Sequence, residues 1–479
     1  FVSAIPDIFY ARDTDGDGLC DEREVWYTGF TAGNPQHLVN GFAWGLDGWF
    51  YGANGDSGGE ITNVQTGSRT RLGSNDFRFH PVTREFRLET GRTQYGKWRD
   101  DYGNWFGNNN VTLAWHYHIP MAWMEQYPER VPPQIRTVLN PDVGVRTISP
   151  PVRRFNHASA TNVLTAACSP MPWNDGKHDT LLVCEPANNL VRRDVLHYDS
   201  FPLTSSRHPQ DEKGELIAST DNWFRPVQVR EGPDGSLYLV DMYRLVLEHP
   251  EWIPVGISSG IDLRAGEDKG RIFQITPLKK GDRMVGDPLE LEVAMRSGIR
   301  WQRDRAQRRL MEQGNPEATA WLRTIVADKE AYPASRIQAA WTAALLDEAE
   351  KPRLIQLLKE SHPKVRAAAF TAAGSTFVHP REMESWFPKS KPAEVKLTEV
   401  PVITRKSPDR AKVVREYQKA LTNLKGDSKR GEAVFIRACA ACHQLGTLGV
   451  ELGPTLATVA GKPAEQLIEA ILDPNRAVE

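Results

Sequence analysis

Two stretches, Gly45-Leu46-Asp47-Gly48-Trp49-Phe50-Tyr51 and Gly232-Pro233-Asp234-Gly235-Ser236-Leu237-Tyr238-Leu239-Val240-Asp241, repeat one pattern far apart in the chain. In each, an Asp-Gly pair precedes a run of aromatic and apolar residues. Asp-Gly readily takes up the positive φ of a tight hairpin turn, so each stretch reads as a turn feeding a strand. The unit recurs among many short strands, in the part of the chain that holds most of the 37 Gly and 14 Trp. That mixture predicts a β-propeller over residues 1–280 in preference to a sandwich. The repeats are too degenerate to give a blade count.

Beyond residue 288 the character changes. Ala, Leu and Arg rise, Gly falls, and apolar residues recur at helical spacing as far as about residue 375. Tyr332-Pro333-Ala-Ser-Arg-Ile-Gln-Ala339-Ala340-Trp341 resembles His362-Pro363-Lys-Val-Arg-Ala-Ala-Ala-Phe370. A Pro that opens a helix, followed by small residues, predicts HEAT-like helical repeats acting as a packing scaffold. Residues 376–410 carry Pro380, Pro388, Pro392, Pro401 and Pro408 among alternating charges and read as a semi-rigid linker. A helix to about Leu424 then leads into an all-α module over 411–479.

That last module carries the sharpest chemistry. Cys439-Ala-Ala-Cys442-His443 is the C-x-x-C-H sequence, in which each thiol can form a thioether to a haem vinyl group and the His sits beneath the iron. A bare C-x-x-C-H also fits zinc or redox sites, so the flanks decide. Upstream, Asp427-Ser-Lys-Arg-Gly431-Glu-Ala-Val-Phe435 reads as an N-capped helix like the first helix of class I cytochromes c. Downstream, Gly453-Pro454-Thr-Leu456 looks like the cytochrome segment whose Pro carbonyl, here that of Pro454, accepts the proximal imidazole N–H and fixes its tautomer. The expected cofactor is haem c on Cys439 and Cys442, with His443 as iron ligand. No Met or His follows His443, so the distal ligand is expected beyond Glu479. The chain also opens without Met, at Phe1, and reads as a fragment.

Near the start, Asp13-Thr-Asp15-Gly-Asp17-Gly18-Leu19-Cys-Asp21-Glu-Arg-Glu24 follows the twelve-residue calcium loop position by position. The expected Ca²⁺ ligands are the carboxylates of Asp13, Asp15, Asp17, Asp21 and Glu24, with the Leu19 carbonyl. Hard oxygen donors at this density suit calcium over a transition metal. The flanks are poor helices, so the loop should lie between strands and serve a structural role. Of the other cysteines, Cys168 and Cys184 read either as a disulfide in an oxidising compartment or as two small buried hydrophobes.

The run from Asp13 to Tyr51, with Ser74-Asn-Asp-Phe-Arg-Phe-His-Pro81, Gln94-Tyr-Gly96, Asp221-Asn-Trp-Phe-Arg225-Pro226, Glu248-His249-Pro250 and Gly270-Arg-Ile272, resembles the haem-binding membrane-bound dehydrogenase family of planctomycetes and verrucomicrobia. More distantly, His37-Leu-Val-Asn-Gly-Phe-Ala-Trp-Gly45-Leu-Asp47-Gly48, with Tyr51 and Gly55-Asp56, is similar to soluble glucose and aldose-sugar dehydrogenases. Those are propellers carrying pyrroloquinoline quinone (PQQ). This likeness implies that His37 is the general base for a substrate hydroxyl, a role suited to a group that titrates near neutrality. PQQ bears three carboxylates and needs cations. Arg154, Asn156 and Arg225 are the loop candidates, although the Arg154–Asn156 spacing departs by one residue from the dehydrogenase pair. Asp241, Tyr243 and His249 cluster after a strand, where they suit sugar binding or simply close a blade.

The expectation is therefore an extracytoplasmic quinoprotein-type dehydrogenase that oxidises a sugar or alcohol and passes electrons through its haem to a redox partner protein. The alternative is a glycan- or partner-binding propeller attached to an electron-transfer cytochrome. A metal-dependent hydrolase fares worst, since no His/Asp cluster has catalytic metal spacing. A formal net charge of −2 gives no bulk attraction to nucleic acid, and no apolar run is long enough to span a bilayer.

Overall fold

The structure, a computed structural model, describes residues 1–34, 36–126, 128, 134–148, 162–200, 202–248, 253, 260–276, 290–358, 364, 410–421, 427–438, 444–445, 448–449 and 463–472. The chain divides into two units, 1–388 and 389–479, and the division falls inside the Pro-rich stretch read as a linker.

Among the described residues, positions 1–276 carry five antiparallel sheets. The first contains, in spatial order, Val2–Ala4, Asp7–Arg12, Glu22–Phe30, Gly59–Asn63 and Arg69–Arg71. The second contains Asn40–Trp44, Phe50–Ala53, Asp76–Phe79 and Phe86–Glu89. The third contains Trp98–Arg99, Trp105–Asn109, Thr112–Tyr117 and Thr137–Val138. Cys168–Asn174, Asp179–Glu185, Leu190–His197 and Thr204–Arg207 form the fourth, with Ile217–Ala218 also paired to Leu190–His197. Pro226–Glu231, Leu237–Asp241 and Arg271–Ile275 make the fifth.

Both Asp-Gly stretches form the expected hairpin turn, with matching bonds. Gly45 donates its N–H to Trp49 O at 2.8 Å, and Gly232 donates to Ser236 O at 2.8 Å. Gly48 and Gly235 sit at φ +79° and +73°, the left-handed region that favours glycine. One feature departs from simple blade order. The first two sheets interleave in sequence, because Glu22–Phe30 pairs with Gly59–Asn63 across the intervening hairpin Asn40–Ala53.

Apolar layers join each sheet to the next. Trp26, Tyr27 and Phe30 pack on Phe77 and Phe79 between sheets one and two, and Tyr51 packs on Trp105 between two and three. Phe106 shares a core with Leu181 and Val183 between three and four, and Leu182 with Val229 and Leu239 joins four and five. Among the described residues no apolar layer closes the fifth sheet onto the first, so a closed propeller is not seen.

Among the described residues of this unit the helices are α1 (Met121–Gln126), between sheet strands, and the successive α2 (Leu291–Arg296), α3 (Arg300–Gln313), α4 (Ala318–Ala327), α5 (Pro333–Leu346) and α6 (Lys351–Leu358). Pro333 opens α5 as expected. The second copy of that motif, at His362-Pro363, lies outside the described residues. The helical run is not a separate scaffold. Ala334, Ile337 and Trp341 of α5 share one core with Leu46 and Tyr102 of the sheet region.

Helix α3 fastens this docking through polar groups. Gln307 Nε2 donates to Leu46 O at 2.9 Å, Gln302 Nε2 to Pro233 O at 2.7 Å, and Arg300 Nη1 to Pro172 O at 2.9 Å. Two of these acceptors belong to the Asp-Gly turns, so the helices cover the turn end of the sheets. At the centre, Asp101 accepts Arg300 Nε at 2.6 Å and lies 2.7 Å from Arg303 Nη2, with all three groups buried. The two guanidiniums outweigh burial and hold the Asp101 carboxyl well below its usual range. Asp101→Ala should lower unfolding stability by about 3–5 kcal/mol, because it strands two buried cations. Chemical denaturation monitored by Trp fluorescence measures this, and a loss under about 1 kcal/mol would place the hold elsewhere.

The second unit contains α7 (Arg410–Leu421), α8 (Ser428–Ala438) and α9 (Ala464–Leu472), with a small hairpin of Gln444–Leu445 and Leu448–Gly449. Asp427 caps α8, its Oδ1 accepting the Arg430 N–H at 3.0 Å. Gln418 Nε2 on α7 donates to Glu465 O on α9 at 3.3 Å.

Candidate functional site

His37 lies on the loop entering Asn40–Trp44, half-buried, with its N–H bonded to Asn34 O at 2.9 Å. Its Nε2 contacts the side-chain amide of Gln94, and Ser57 Oγ donates to its carbonyl. Gln94 Oε1 already accepts the Asn110 N–H at 2.9 Å, so its amide nitrogen faces the imidazole. Burial lowers the His37 pKa, with Asp56 opposing more weakly, which favours the neutral imidazole. A neutral ring is the correct state for a base. Its one lone pair, however, takes the Gln94 N–H, so a substrate hydroxyl would have to displace that amide.

The same corner gathers other motifs that are distant in sequence. Asn40 Oδ1 accepts the Gly96 N–H at 2.8 Å, and Arg92 Nε pairs with Asp56 Oδ1 at 2.5 Å. Gln36 Nε2 donates to Leu247 O at 3.0 Å, bringing the segment before His249-Pro250 to this loop. Gln94 is the partner that sequence reasoning missed, although Gln94-Tyr-Gly96 already stood out as a motif.

A chamber lined by Asp47, Tyr51, Arg78, Glu89, Lys97 and Trp105 was not assigned from the sequence. Asp76 and Lys97 form a fully buried pair at 2.8 Å. Asp76 also accepts the Asn54 and Thr93 N–H groups, each at 3.0 Å, and the Thr93 hydroxyl at 2.7 Å. Arg78 donates to Asp47 Oδ2 at 2.9 Å and to Tyr51 Oη at 3.1 Å, while Tyr51 stacks on Trp105 at 4.0 Å. Each charge has an opposite partner, which is the condition for keeping charges buried. The chamber thus reads as the tie between sheets two and three. Its signal was the alternation Asp76-Phe77-Arg78-Phe79, apolar to one face and charged to the other.

The acidic loop is folded about Asp13. Its two carboxylate oxygens accept Gly16 N–H at 2.6 Å and Gly18 N–H at 2.9 Å, and Asp21 Oδ2 accepts Thr14 N–H at 2.6 Å. Ligand atoms of Asp13, Asp15 and Asp21 lie within 4.8 Å of one another. The backbone bonds hold Asp13 below the usual carboxylate range, and the Thr14 hydroxyl and N–H do the same for Asp21. Asp17 Oδ1 instead accepts Leu19 N–H at 2.7 Å. Glu24 is a correction to the expected ligand set. It lies on the strand Glu22–Phe30, opposite Tyr10, where the strand's pleat aims it at Arg84. Arg84 makes paired bonds to it at 2.5 and 2.9 Å, and Trp26 Nε1 donates at 3.0 Å.

The expected quinone contacts fare differently. Arg154 and Asn156 lie outside the described residues, as does His249. Arg225 is buried, and its guanidinium donates to the carbonyls of Arg244, Pro186 and Leu245 at 2.9–3.0 Å. That is a backbone clamp, and it does not fit carboxylate recognition. Asp241 accepts the Arg225 and Tyr243 N–H groups and both Arg271 donors, so it closes the fifth sheet. Cys168 and Cys184 are free, buried and directly opposite on neighbouring strands.

Cys439, Cys442, His443 and Pro454 lie outside the described residues. Helix α8 ends at Ala438, immediately before the first of these cysteines. Residues 1–279 match the family described as "Domain of unknown function (DUF7133)". The chain belongs to the DUF7133 family. Residues 428–479, C-terminal to the DUF7133 domain, match the cytochrome c family. No curated protein and no solved structure matches the chain. The cytochrome c match carries haem c and electron transfer with it. Among the described residues, no helix is long and apolar enough to cross a membrane.

Proposed function

We propose that this chain is an extracytoplasmic electron-transfer haem protein whose DUF7133 domain meets the electron donor, an alcohol or sugar, and feeds the haem. The observation that carries this reading is the joining of the DUF7133 domain and a cytochrome c domain in one chain. A c-type haem moves one electron at a time and needs a donor. A neutral His37 beside Gln94 and Asp56 is the group suited to take a substrate hydroxyl proton. Five sheets joined in succession by apolar cores support a propeller architecture.

Alcohol oxidation releases two electrons, so this reading requires a two-electron carrier in the DUF7133 domain. The dehydrogenase likeness implies PQQ, and Arg225 does not fit its carboxylates. The engaged lone pair of His37 and the clamped Arg225 favour a second reading, in which the domain binds a glycan or partner protein without chemistry. Anaerobic haem spectra on addition of an alcohol and sugar panel, with and without PQQ, separate the two. Substrate-dependent haem reduction supports the first, and binding without reduction supports the second.

We also propose that the loop of Asp13, Asp15 and Asp21 takes a structural calcium ion. Melting of the wild type should fall by several degrees on adding chelator, through ligand linkage, and Asp13→Ala should abolish that difference. Identical melts with and without calcium would leave an acidic turn held by its own backbone.

A further inference from the structure

A second cluster of metal-ligating side chains lies away from every site above. The turn joining Cys168–Asn174 to Asp179–Glu185 runs Asp175-Gly176-Lys177-His178. Asp175 Oδ1 accepts the backbone N–H groups of Lys177 at 2.8 Å and His178 at 2.7 Å. Those bonds fix the carboxylate and leave Oδ2 facing two imidazoles. His178 Nδ1 lies 3.7 Å from Oδ2, and His208 Nε2 lies 3.2 Å from it.

Both ring nitrogens are buried without a hydrogen-bond partner, the 3.2 Å approach being misdirected for one. His208 is 2% exposed, and the two rings stand 84° apart. Buried polar atoms left unbonded are rare and call for an explanation. Here three potential ligand atoms converge within 4.8 Å.

We infer that Asp175, His178 and His208 bind a zinc-class divalent ion through Oδ2, Nδ1 and Nε2, with water completing the coordination. In tetrahedral zinc sites with bonds of about 2.0–2.2 Å, neighbouring ligand atoms stand about 3.3–3.5 Å apart. The observed 3.2 and 3.7 Å bracket that spacing. Two imidazoles and one carboxylate suit zinc and not calcium, which prefers oxygen alone. The backbone bonds to Oδ1 are the kind of outer contact that orients a metal-bound carboxylate.

Two neighbours temper the affinity. Arg193 Nη1 is 3.7 Å from Oδ2, but Arg193 also makes paired bonds to Asp211 at 2.9 and 3.0 Å, which offset its charge. His208 Nδ1 accepts the Gln210 N–H at 3.2 Å. Binding at Nε2 requires a proton on Nδ1, so this long bond must be given up when metal enters. The ion would then pin the hairpin turn to the chain entering the 3₁₀ turn Pro209–Asp211. No sequence spacing announces the site, because its third ligand comes from beyond three further strands.

The test is zinc titration of the haem-loaded chain by calorimetry, with melting curves and zinc-edge X-ray absorption. The wild type should bind one zinc in this cluster, melt higher with zinc, and show only nitrogen and oxygen neighbours. His178→Ala and Asp175→Asn should each weaken that binding more than tenfold while keeping haem content and the zinc-free melt. His178 is a partly exposed turn residue, which makes it the variant least prone to misfold. Absence of zinc binding in the wild type, undiminished binding in both variants, or sulfur from Cys20, Cys168 or Cys184 in the coordination shell would overturn the assignment.

Discussion

Replacing Cys439 and Cys442 together by Ala should remove covalent haem completely while leaving the DUF7133 domain folded. Each thiol forms one thioether, and with neither present the porphyrin is held only by its axial ligands and packing. Wild type made with a c-type maturation system should keep its pigment through acid-acetone extraction, and the double variant should lose all of it. Residues 1–388 form a compact unit separate from 389–479, so the main thermal transition of the β and helical region should not move. Pigment that survives extraction in the double variant would mean attachment elsewhere.

The second large effect concerns His37. His37→Gln should reduce substrate-driven haem reduction by roughly a hundred- to ten-thousand-fold, the usual contribution of a placed general base. Gln can still bond to Gln94 but cannot take up a proton near neutral pH, so haem content and melting temperature should stay at wild-type values. The pH dependence carries a sign. The active form of a base is the unprotonated one, and burial lowers the His37 pKa below its ordinary value. Wild-type rate should therefore rise with pH along a limb whose midpoint lies below that of a free imidazole, and the limb should vanish in the variant. Full activity in His37→Gln would remove the residue from the chemistry.

What the sequence disclosed was mainly local. The Asp47-Gly48 and Asp234-Gly235 turns, the Pro333 helix start and the Asp427 cap each depend on residues within a few positions, and each forms as expected. Pairings across the chain were hidden. Nothing local says that Glu22–Phe30 skips the next hairpin to join Gly59–Asn63. Helix α3 is mostly polar along Arg300-Trp-Gln-Arg-Asp-Arg-Ala-Gln307, yet Arg300, Gln302, Arg303 and Gln307 are buried. Their partners are Asp101 and the carbonyls of turns far upstream, invisible to periodicity.

The candidate site shows the same division. Spacing placed Asp13, Asp15 and Asp21 together, because one short loop sets their positions. It misplaced Glu24, since the strand that begins at Glu22 follows its own pleat and meets Arg84. His37 was legible as an imidazole in a motif. Its engagement by Gln94 was not, because that depends on how two loops from different sheets meet.

The most direct measurement is the rate of haem reduction in dilute, anaerobic protein after mixing with an oxidisable alcohol or sugar, repeated over a wide range of protein concentration. If the DUF7133 domain feeds the haem of its own chain, reduction will be first order, with a rate constant independent of protein concentration. A rate that scales with protein concentration, or no reduction across the panel with PQQ supplied, would contradict the account.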